Sequence, residues 1–401
     1  MVFDSAPSFT RGSEPHGATH EPHSTPNNRL MTESVVFFDL RREVAEIRCE
    51  VEAAIGRVLD SGQFILGGEL AAFEHDFGNY LGVAHVVGVS SGSDALQLGL
   101  EAVGVRAGDE VITVPNTAAA TAAAITAAGA HPVFVDVDDA TLMMDPTALS
   151  HAIGARTAAI VPVHLFGHPA PLAAILDQAC DLPVVEDCAQ AVGCLLDGVP
   201  VGRLGRVGCF SFYPTKNLGA YGDAGCLVTA DDALAARLRL LRNHGQRDRY
   251  RHDLPGHTSR LDEIQAAILR VKLGHLPCWL ARRREIATRY REGITHPLLR
   301  HPHAAPGADH GYHLYPVRVA ERERLMTRLA TLGVETLIHY PVPLHLQPAF
   351  VALGYGPGDF PVAERAATEI LSLPLYPQLT DGEVERIIDA LGVALNEVVR
   401  G

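Results

Sequence analysis

Residues 209–220 of the chain read Cys-Phe-Ser-Phe-Tyr-Pro-Thr-Lys-Asn-Leu-Gly-Ala. The apolar run that opens this stretch is typical of a buried strand. Lys216 follows it, inside a segment that is apolar and bounded by glycine. Burial lowers the pKa of a lysine because it disfavours the charged form, and a neutral amine can form a Schiff base with an aldehyde. The stretch therefore predicts a reactive lysine just after a strand.

Short apolar runs alternate with helical stretches from about residue 85 onwards. Strands that alternate with helices in this way predict βαβ units and a mostly parallel sheet flanked by helices. The predicted strands are residues 85–90, 111–114, 133–137, 159–163, 183–186, 209–213 and 226–229, and the predicted helices are residues 93–103, 117–128 and 171–180.

The chain becomes more helical beyond residue 230. Leu261, Ile264, Ile268 and Val271 recur at the spacing of one helical face. The other elements predicted in this part are a helix that continues over residues 282–290, strands over residues 312–319 and 334–339, and a last amphipathic helix over residues 381–395.

The length of the chain, 401 residues, predicts more than one domain. A single hydrophobic core stops growing at about 250–300 residues. Residues 1–34 are rich in Ser, Thr, Pro, Asn and His, and we expect them to form a disordered tail. We expect a large α/β domain over residues 35–255, and a helical connector with a smaller α+β domain over residues 256–401.

The composition argues against several classes of partner. The 33 Lys and Arg residues and 47 Asp and Glu residues give a net charge of −14 without a long basic run, so we expect no nucleic-acid or membrane partner. The longest uncharged stretch, residues 111–135, is interrupted by Pro115 and Pro132 and does not resemble a membrane span. The seven cysteines form no C-x-x-C pair, which predicts reduced thiols in the cytoplasm and no metal site.

Two further segments carry polar groups at the ends of predicted strands. Residues 89–96 read Val-Ser-Ser-Gly-Ser-Asp-Ala-Leu, so Gly92 and Ser93 lie where a helix begins and where free backbone N–H groups can bind a phosphate. Residues 184–190 read Val-Val-Glu-Asp-Cys-Ala-Gln, which places Asp187 at the edge where α/β sheets bind ligands. Each segment alone is also compatible with an ordinary helix cap.

Together with Lys216, these two segments supply the parts of a pyridoxal-phosphate site. Their order resembles the DegT/StrS-type sugar aminotransferases, a family of fold-type-I pyridoxal-phosphate enzymes. The resemblance covers about residues 36–395 and rests on the blocks S-G-S-D-A-L, P-V-H-L-F-G, E-D-C-A-Q-A, S-F-Y-P-T-K-N-L-G-A-Y-G-D-A-G, R-N-H-G, S-R-L-D-E-I-Q-A-A-I-L and I-H-Y-P-x-P-x-H-x-Q-P-A.

The resemblance implies roles for particular residues. Lys216 would be the catalytic residue that carries the cofactor and the proton, and Asp187 would pair with the pyridine nitrogen. Gln190 would hydrogen-bond the ring hydroxyl. His339 would lie near the sugar substrate, although a histidine at a strand end is also compatible with a core position. The phosphate would be held by Gly92, Ser93 and Ser211.

Two positions depart from the family pattern. Where the family commonly has an aromatic side chain that stacks on the cofactor ring, this chain has Ala118, so the stack is missing or supplied elsewhere. Where the family commonly has an asparagine that reaches the phosphate of the neighbouring subunit, this chain has Thr258, which offers a hydroxyl but no amide.

The resemblance implies a ping-pong transfer of an amino group from L-glutamate, or a similar donor, to a keto sugar. The I-H-Y-P block favours a nucleotide-linked 3-keto-deoxyhexose, as used in the biosynthesis of deoxyamino sugars and antibiotics, and a homodimer with shared sites is expected. Three alternatives stay open. They are a keto-cyclitol acceptor, a sugar dehydratase, against which Lys216 argues because such members have histidine there, and a regulator that binds the cofactor without catalysis.

Overall fold

Helices and short strands alternate along residues 34–400, the part of the chain that the computed structural model describes, with side chains up to residue 398. The α-helices are α1 (Leu40–Ser61), α2 (Gly68–Leu81), α3 (Gly92–Val103), α4 (Ala119–Ala127), α5 (Pro146–Ala152), α6 (Leu172–Ala179), α7 (Asp232–Leu241), α8 (Glu263–Gly293), α9 (Arg322–Thr331), α10 (Pro361–Glu369) and α11 (Asp381–Arg400). The strands are β1 (His85–Val89), β2 (Glu110–Thr113), β3 (His131–Phe134), β4 (Thr157–Ile160), β5 (Val185–Asp187), β6 (Leu195–Leu196), β7 (Val199–Pro200), β8 (Val207–Ser211), β9 (Gly225–Thr229), β10 (Gln246–Asp248), β11 (Arg251–His252), β12 (Ala308–Asp309), β13 (Tyr315–Arg318) and β14 (Ile370–Leu373).

Seven of these strands form the central sheet. β2 pairs in parallel with β3 and β4, β5 pairs in parallel with β8, and β9 lies antiparallel between β8 and β1. Single parallel bridges, Ile160 to Val184 and Val163 to Asp187, join the edges of β4 and β5. The order is β3-β2-β4-β5-β8-β9-β1, in which β9 runs against the other six. This confirms the predicted α/β fold with a mixed, mostly parallel sheet between helices.

Strand β8 shows how the sheet separates two cores. Successive side chains of a strand point to opposite faces. Cys209 packs with α3 on one face, whereas Phe210 and Phe212 pack with Phe73 and Phe77 of α2 on the other. Ser211 therefore points to the same face as α3, which brings its hydroxyl towards the start of that helix.

Residues 294–398, called the C-terminal lobe, pack against the second half of α8, which continues through Pro277. Strands β13 and β14 pair antiparallel, and their inner side chains join a buried cluster with Tyr290 of α8 and with α11. Val35 belongs to the same cluster and bridges Val334. The start of the described chain is therefore attached to the C-terminal lobe.

The predicted strand over residues 334–339 is wrong. Only two isolated bridges lie in this segment, Val35 to Val334 and Leu337 to Ser372, and they involve two different neighbours. The prolines at positions 341 and 343 follow at once, and a proline cannot donate to a ladder. The strand predicted over residues 312–319 is shorter, because Tyr312 has a left-handed backbone with φ of 46°.

The tail predicted over residues 1–34 lies outside the described residues, apart from Ser34, and the division at residue 255 stays a prediction. Within the described part of the chain, the helices are all too short or too polar to cross a membrane.

Candidate active site

A cavity of about 160 Å³ opens at the carboxyl ends of β5 and β8, beside the first turn of α3. Six of the seven predicted site residues line it, and these are Gly92, Ser93, Asp187, Gln190, Ser211 and Lys216. His339 does not line the cavity. Thr121, Tyr213 and Asp223 also line it, although they were not predicted as site residues from the sequence.

Lys216 lies in a tight turn after β8. The N–H of Lys216 donates to the carbonyl of Tyr213 over 2.8 Å, and the Asn217 amide donates to the carbonyls of Val192 and Gly311. The lysine side chain is partly exposed at the cavity. The loss of water around the amine lowers the pKa of Lys216 to about 8, although the charge of Asp187 acts in the opposite direction. A sizeable fraction of the amine is therefore neutral near neutral pH.

Asp187 ends β5 and is 3% exposed. One carboxylate oxygen accepts from the Thr121 hydroxyl over 2.8 Å, and the other accepts from the Ala189 N–H over 3.1 Å. Burial raises the pKa of Asp187, whereas these hydrogen bonds and the charge of Lys216 lower it. The carboxylate thus lines the same cavity as the lysine and accepts hydrogen bonds from two donors.

The first turn of α3 approaches β8 closely because residue 92 is glycine. A Cβ atom at Gly92 would lie 2.5 Å from the Cβ of Ser211. Ser91 caps the helix by accepting from the Asp94 N–H. The N–H groups at the start of a helix have no intrahelical acceptors, and the helix dipole makes this end positive. Together with the hydroxyls of Ser93 and Ser211, this turn is suited to hold a phosphate.

Gln190 is buried and its amide orientation is determined by two hydrogen bonds. Its Oε1 accepts from the N–H of Phe166 over 2.6 Å, and its Nε2 donates to the hydroxyl of Tyr340 over 3.1 Å. The second hydrogen on Nε2 remains for a ligand. Tyr340 belongs to the I-H-Y-P block, in which only the neighbouring His339 was predicted as a site residue.

His339 lies in the C-terminal lobe, half-buried. Its Nδ1 pairs with the Ser372 hydroxyl over 2.9 Å, and its ring stacks on Phe37. Burial, with a smaller effect of the Lys216 charge, lowers the pKa of His339 to about 4. His339 is therefore neutral, and it lies near enough to Lys216 for the lysine charge to affect its pKa.

A buried cluster behind β5 anchors the strand that carries Asp187. The donor atoms of His164, Glu186 and Cys188 lie within 4.8 Å of one another. His164 Nδ1 accepts from the Ala170 N–H, so the proton is on Nε2, which donates to Glu186 over 3.0 Å. Three backbone N–H groups also donate to Glu186. The ring nitrogens of His164 and the carboxylate oxygens of Glu186 are thus already used in hydrogen bonds, which indicates a structural role for these two residues.

The two departures from the family pattern are visible in the structure. Ala118 lines the cavity and precedes α4, and Tyr213 is the only aromatic residue among the described residues that line the cavity. Thr258 does not line the cavity of its own chain. Its side chain is exposed and its hydroxyl pairs with His244 Nε2 over 3.1 Å.

The residues that line the cavity fit pyridoxal phosphate. A lysine of lowered pKa and a buried carboxylate share one cavity, and the turn that could hold a phosphate lies beside them. The cofactor supplies an aldehyde that takes up an amino group and a ring that stabilises negative charge on the neighbouring carbon.

The sequence profile of the DegT/DnrJ/EryC1/StrS aminotransferase family matches residues 45–392. The chain belongs to this family. It is 45% identical, over 91% of its length and 97% of the relative, to the dTDP-3-amino-3,4,6-trideoxy-alpha-D-glucose transaminase of Streptomyces venezuelae. It is 47% identical, over 89% of its length and 98% of the relative, to the erythromycin biosynthesis sensory transduction protein EryC1 of Saccharopolyspora erythraea.

The fold agrees with solved structures of the family. The crystal structure of Streptomyces venezuelae DesV in complex with a ketimine intermediate superimposes with a TM-score of 0.89 at 46% identity, over 90% of this chain and 99% of that one. The predicted family, the aminotransferase activity and the use of pyridoxal phosphate are confirmed. A role in deoxyamino-sugar biosynthesis agrees with the names of the relatives.

Proposed function

We propose that the enzyme transfers an amino group from L-glutamate to a nucleotide-linked 3-keto-deoxyhexose, with dTDP as the expected nucleotide. The transaminase of Streptomyces venezuelae, which is 45% identical, is named for a dTDP-3-amino sugar. The observation that carries the catalytic part is that Lys216 and Asp187 line the same cavity.

Each residue of the cavity has a role in this proposal. Lys216 carries the cofactor, and when its amine is free it moves the proton at the substrate carbon, because a pKa of about 8 leaves part of the amine neutral. Asp187 pairs with the pyridine nitrogen as an anion, and Gln190 donates its free Nε2 hydrogen to the ring hydroxyl. The phosphate is held by Gly92, Ser93 and Ser211.

His339 is proposed to contact the sugar. Its Nδ1 is occupied by Ser372, which leaves Nε2 as the atom that can bind a ligand. The neutral ring can donate or accept a hydrogen bond, as a sugar hydroxyl requires. The stacking of Phe37 on His339 holds the ring in place.

We also propose a cytoplasmic homodimer. The loop between α1 and α2 exposes Phe64, Ile65 and Leu66 at 46%, 41% and 36%. Ile65 forms a β-bridge with Asp262. Ser259 lies three residues before Asp262, and its hydroxyl donates to the carboxylate of Asp94 in the first turn of α3. An exposed apolar group is typical of an interface between protein chains, and this group lies beside residues that contact the start of α3. All seven cysteines lie in the described residues and none is in a disulfide, in keeping with a reducing compartment.

The acceptor is tested by incubating the enzyme with L-glutamate and a panel of nucleotide-linked keto sugars and keto-cyclitols, and measuring 2-oxoglutarate. We expect turnover with a dTDP-linked 3-keto-deoxyhexose. Turnover confined to keto-cyclitols would contradict the proposed acceptor. Because one relative is named as a sensory protein, conversion of the bound cofactor's absorbance by glutamate alone distinguishes an enzyme from a regulator.

A further inference from the structure

A second, smaller cavity lies where the C-terminal lobe meets the rest of the described chain. Its volume is about 30 Å³. Residues 140–142 and Phe166 line one side, and residues 300–303 and His310 of the C-terminal lobe line the other. None of the residues that line this cavity lines the candidate active site. The smaller cavity is therefore a separate feature of the molecule.

One N–H group of His310 is left without a partner in this cavity. His310 is 5% exposed, and its Nδ1 accepts from the backbone N–H of Tyr312 over 2.8 Å. Burial lowers the pKa of His310 well below its ordinary value, so the ring is neutral and its proton is on Nε2. Within residues 34–398, His310 Nε2 has no hydrogen-bond partner. A buried donor without an acceptor destabilises the fold, and a ligand that accepts from it would remove that cost.

The other histidines inside this cavity leave no ring nitrogen free for a metal ion. His168 donates from Nδ1 and accepts at Nε2, in hydrogen bonds of 2.7 and 3.0 Å to backbone groups. His301 uses both of its ring nitrogens in the same way. A metal ion on His310 Nε2 would move the proton to Nδ1, where it would face the N–H of Tyr312. The histidines therefore do not form a metal site.

Two arginines give the cavity a positive charge. Arg300 and Arg318 line it, and no acidic side chain among the described residues does. Asp139 accepts from Arg300 over 2.9 Å and from Arg318 over 2.7 Å, and it also accepts from Arg365 over 2.9 Å. Arg318 pairs in addition with Glu369. Three guanidinium groups thus face two carboxylates, which leaves one positive charge in excess.

The side chains that remain free at this cavity can all donate hydrogen bonds. Arg300 uses only Nη2 in its bonds to Asp139, and its side chain is 51% exposed. His303 is exposed and has no hydrogen-bond partner within residues 34–398. The hydroxyl of Thr141 is already used, because it donates to Asp138 over 2.9 Å. A ligand of this cavity must therefore accept hydrogen bonds, and it gains from the positive charge if it is an anion.

We propose that this cavity binds one oxyanion group, a phosphate or a carboxylate, through His310 Nε2 and the Arg300 guanidinium. A volume of about 30 Å³ holds roughly two groups of the size of a water molecule, which suits the oxygens of one such group and is too small for a sugar or a nucleotide. The bound group lies between residues 140–142 and the C-terminal lobe. It stabilises the folded chain, because it binds the native state and not the unfolded one.

The test measures binding to the holoenzyme, so that the bound cofactor already fills the turn at the start of α3. Sodium phosphate and sodium acetate are titrated separately in a calorimeter at constant ionic strength. We expect one saturable site with a dissociation constant of about 1 mM or below, and a Tm that rises with the concentration of the anion. The anion that binds more tightly identifies whether the site takes a phosphate or a carboxylate group.

Two variants and a matched control locate the site. Arg300→Gln and His310→Phe each remove one proposed donor, and each should raise the dissociation constant at least about tenfold. The control is Arg365→Gln, because the side chain of Arg365 is 47% exposed and donates to the same Asp139 over the same 2.9 Å, but it does not line the cavity. The dissociation constant of the control should stay within about threefold of wild type.

The exposed position of Arg300 means that Arg300→Gln tests the site even if His310→Phe does not fold. Absence of saturable binding of either anion up to about 20 mM would overturn the inference. Binding that Arg300→Gln leaves unchanged, or that the control Arg365→Gln weakens equally, would overturn it as well. None of these results affects the proposed amino transfer, because the titrations involve neither an amino donor nor a sugar.

Discussion

Replacing Asp187 by asparagine keeps the shape of the side chain and removes its charge. In the native protein one oxygen of Asp187 accepts from Thr121 and the other from Ala189. In Asp187→Asn the amide oxygen can keep the bond from Ala189, and the Thr121 hydroxyl can rotate to accept from the amide nitrogen. We therefore expect the fold to be retained.

The catalytic loss should nevertheless be large. A neutral amide cannot hold a pyridine nitrogen in its protonated form, and a hydrogen bond to a charged group contributes about 1.5–3 kcal/mol. The same ring stabilises negative charge in both half-reactions, so both should slow by roughly 100-fold, or about 3 kcal/mol of barrier. The assay is the single-turnover rate of each half-reaction with cofactor saturating.

The alternative role for Asp187 is that of a local cap, and it gives a different result. Asp145 accepts from the N–H two residues ahead in the same way, over 2.8 Å, and caps α5, whose residues do not line the cavity. Asparagine caps nearly as well as aspartate, so the control Asp145→Asn should leave both rates unchanged. If the rates of Asp187→Asn also stayed within about threefold of wild type, the charge of Asp187 would have no catalytic role.

Three further predictions concern other parts of the chain. Removing the first 33 residues should leave activity and thermal stability unchanged. Removing the first 39 also takes away Phe37 and the bridge between Val35 and Val334, and it should weaken sugar binding; equal effects of both truncations would refute this. The rate at which apoenzyme captures pyridoxal phosphate should rise with pH around a midpoint near 8, because only the neutral amine of Lys216 reacts and its pKa is lowered to about 8; a rate that does not change between pH 7 and 9 would argue against that. Lys272 is fully buried with its Nζ 2.6 Å from Glu43, so Glu43→Gln should lower the free energy of unfolding by roughly 3–5 kcal/mol. The double variant Glu43→Leu with Lys272→Met should recover most of that loss, and thermal and urea unfolding measure the stability of each variant.

The main parts of the cavity could be predicted from the sequence for a topological reason. Asp187 and Lys216 each follow an apolar run, and parallel neighbours such as β5 and β8 bring their carboxyl ends to the same edge of a sheet. The Gly-Ser start of α3 was recognisable in the same way, since a helix that follows a strand begins at that edge. Local patterns thus indicated which residues would meet.

The supporting residues could not be predicted, because their partners are distant in the sequence. Thr121 lies 66 positions from Asp187 in an alanine-rich helix, and nothing in that helix marks it as a donor to a buried carboxylate. Tyr340 lies 150 positions from Gln190. The wrong strand over residues 334–339 has the same origin, because its apolar pattern does not show that its two bridges go to different neighbours.

The most direct test of the account is to find which lysine carries the cofactor. The sequence contains two lysines, Lys216 in the cavity and Lys272, which is buried against Glu43. The holoenzyme is reduced with sodium borohydride, digested with trypsin and analysed by mass spectrometry. We predict a pyridoxyl group on Lys216, which would block cleavage there and yield a single modified peptide over residues 207–237. A pyridoxyl group on Lys272, or an unmodified Lys216 in a protein that holds the cofactor, would contradict the assignment of the active site.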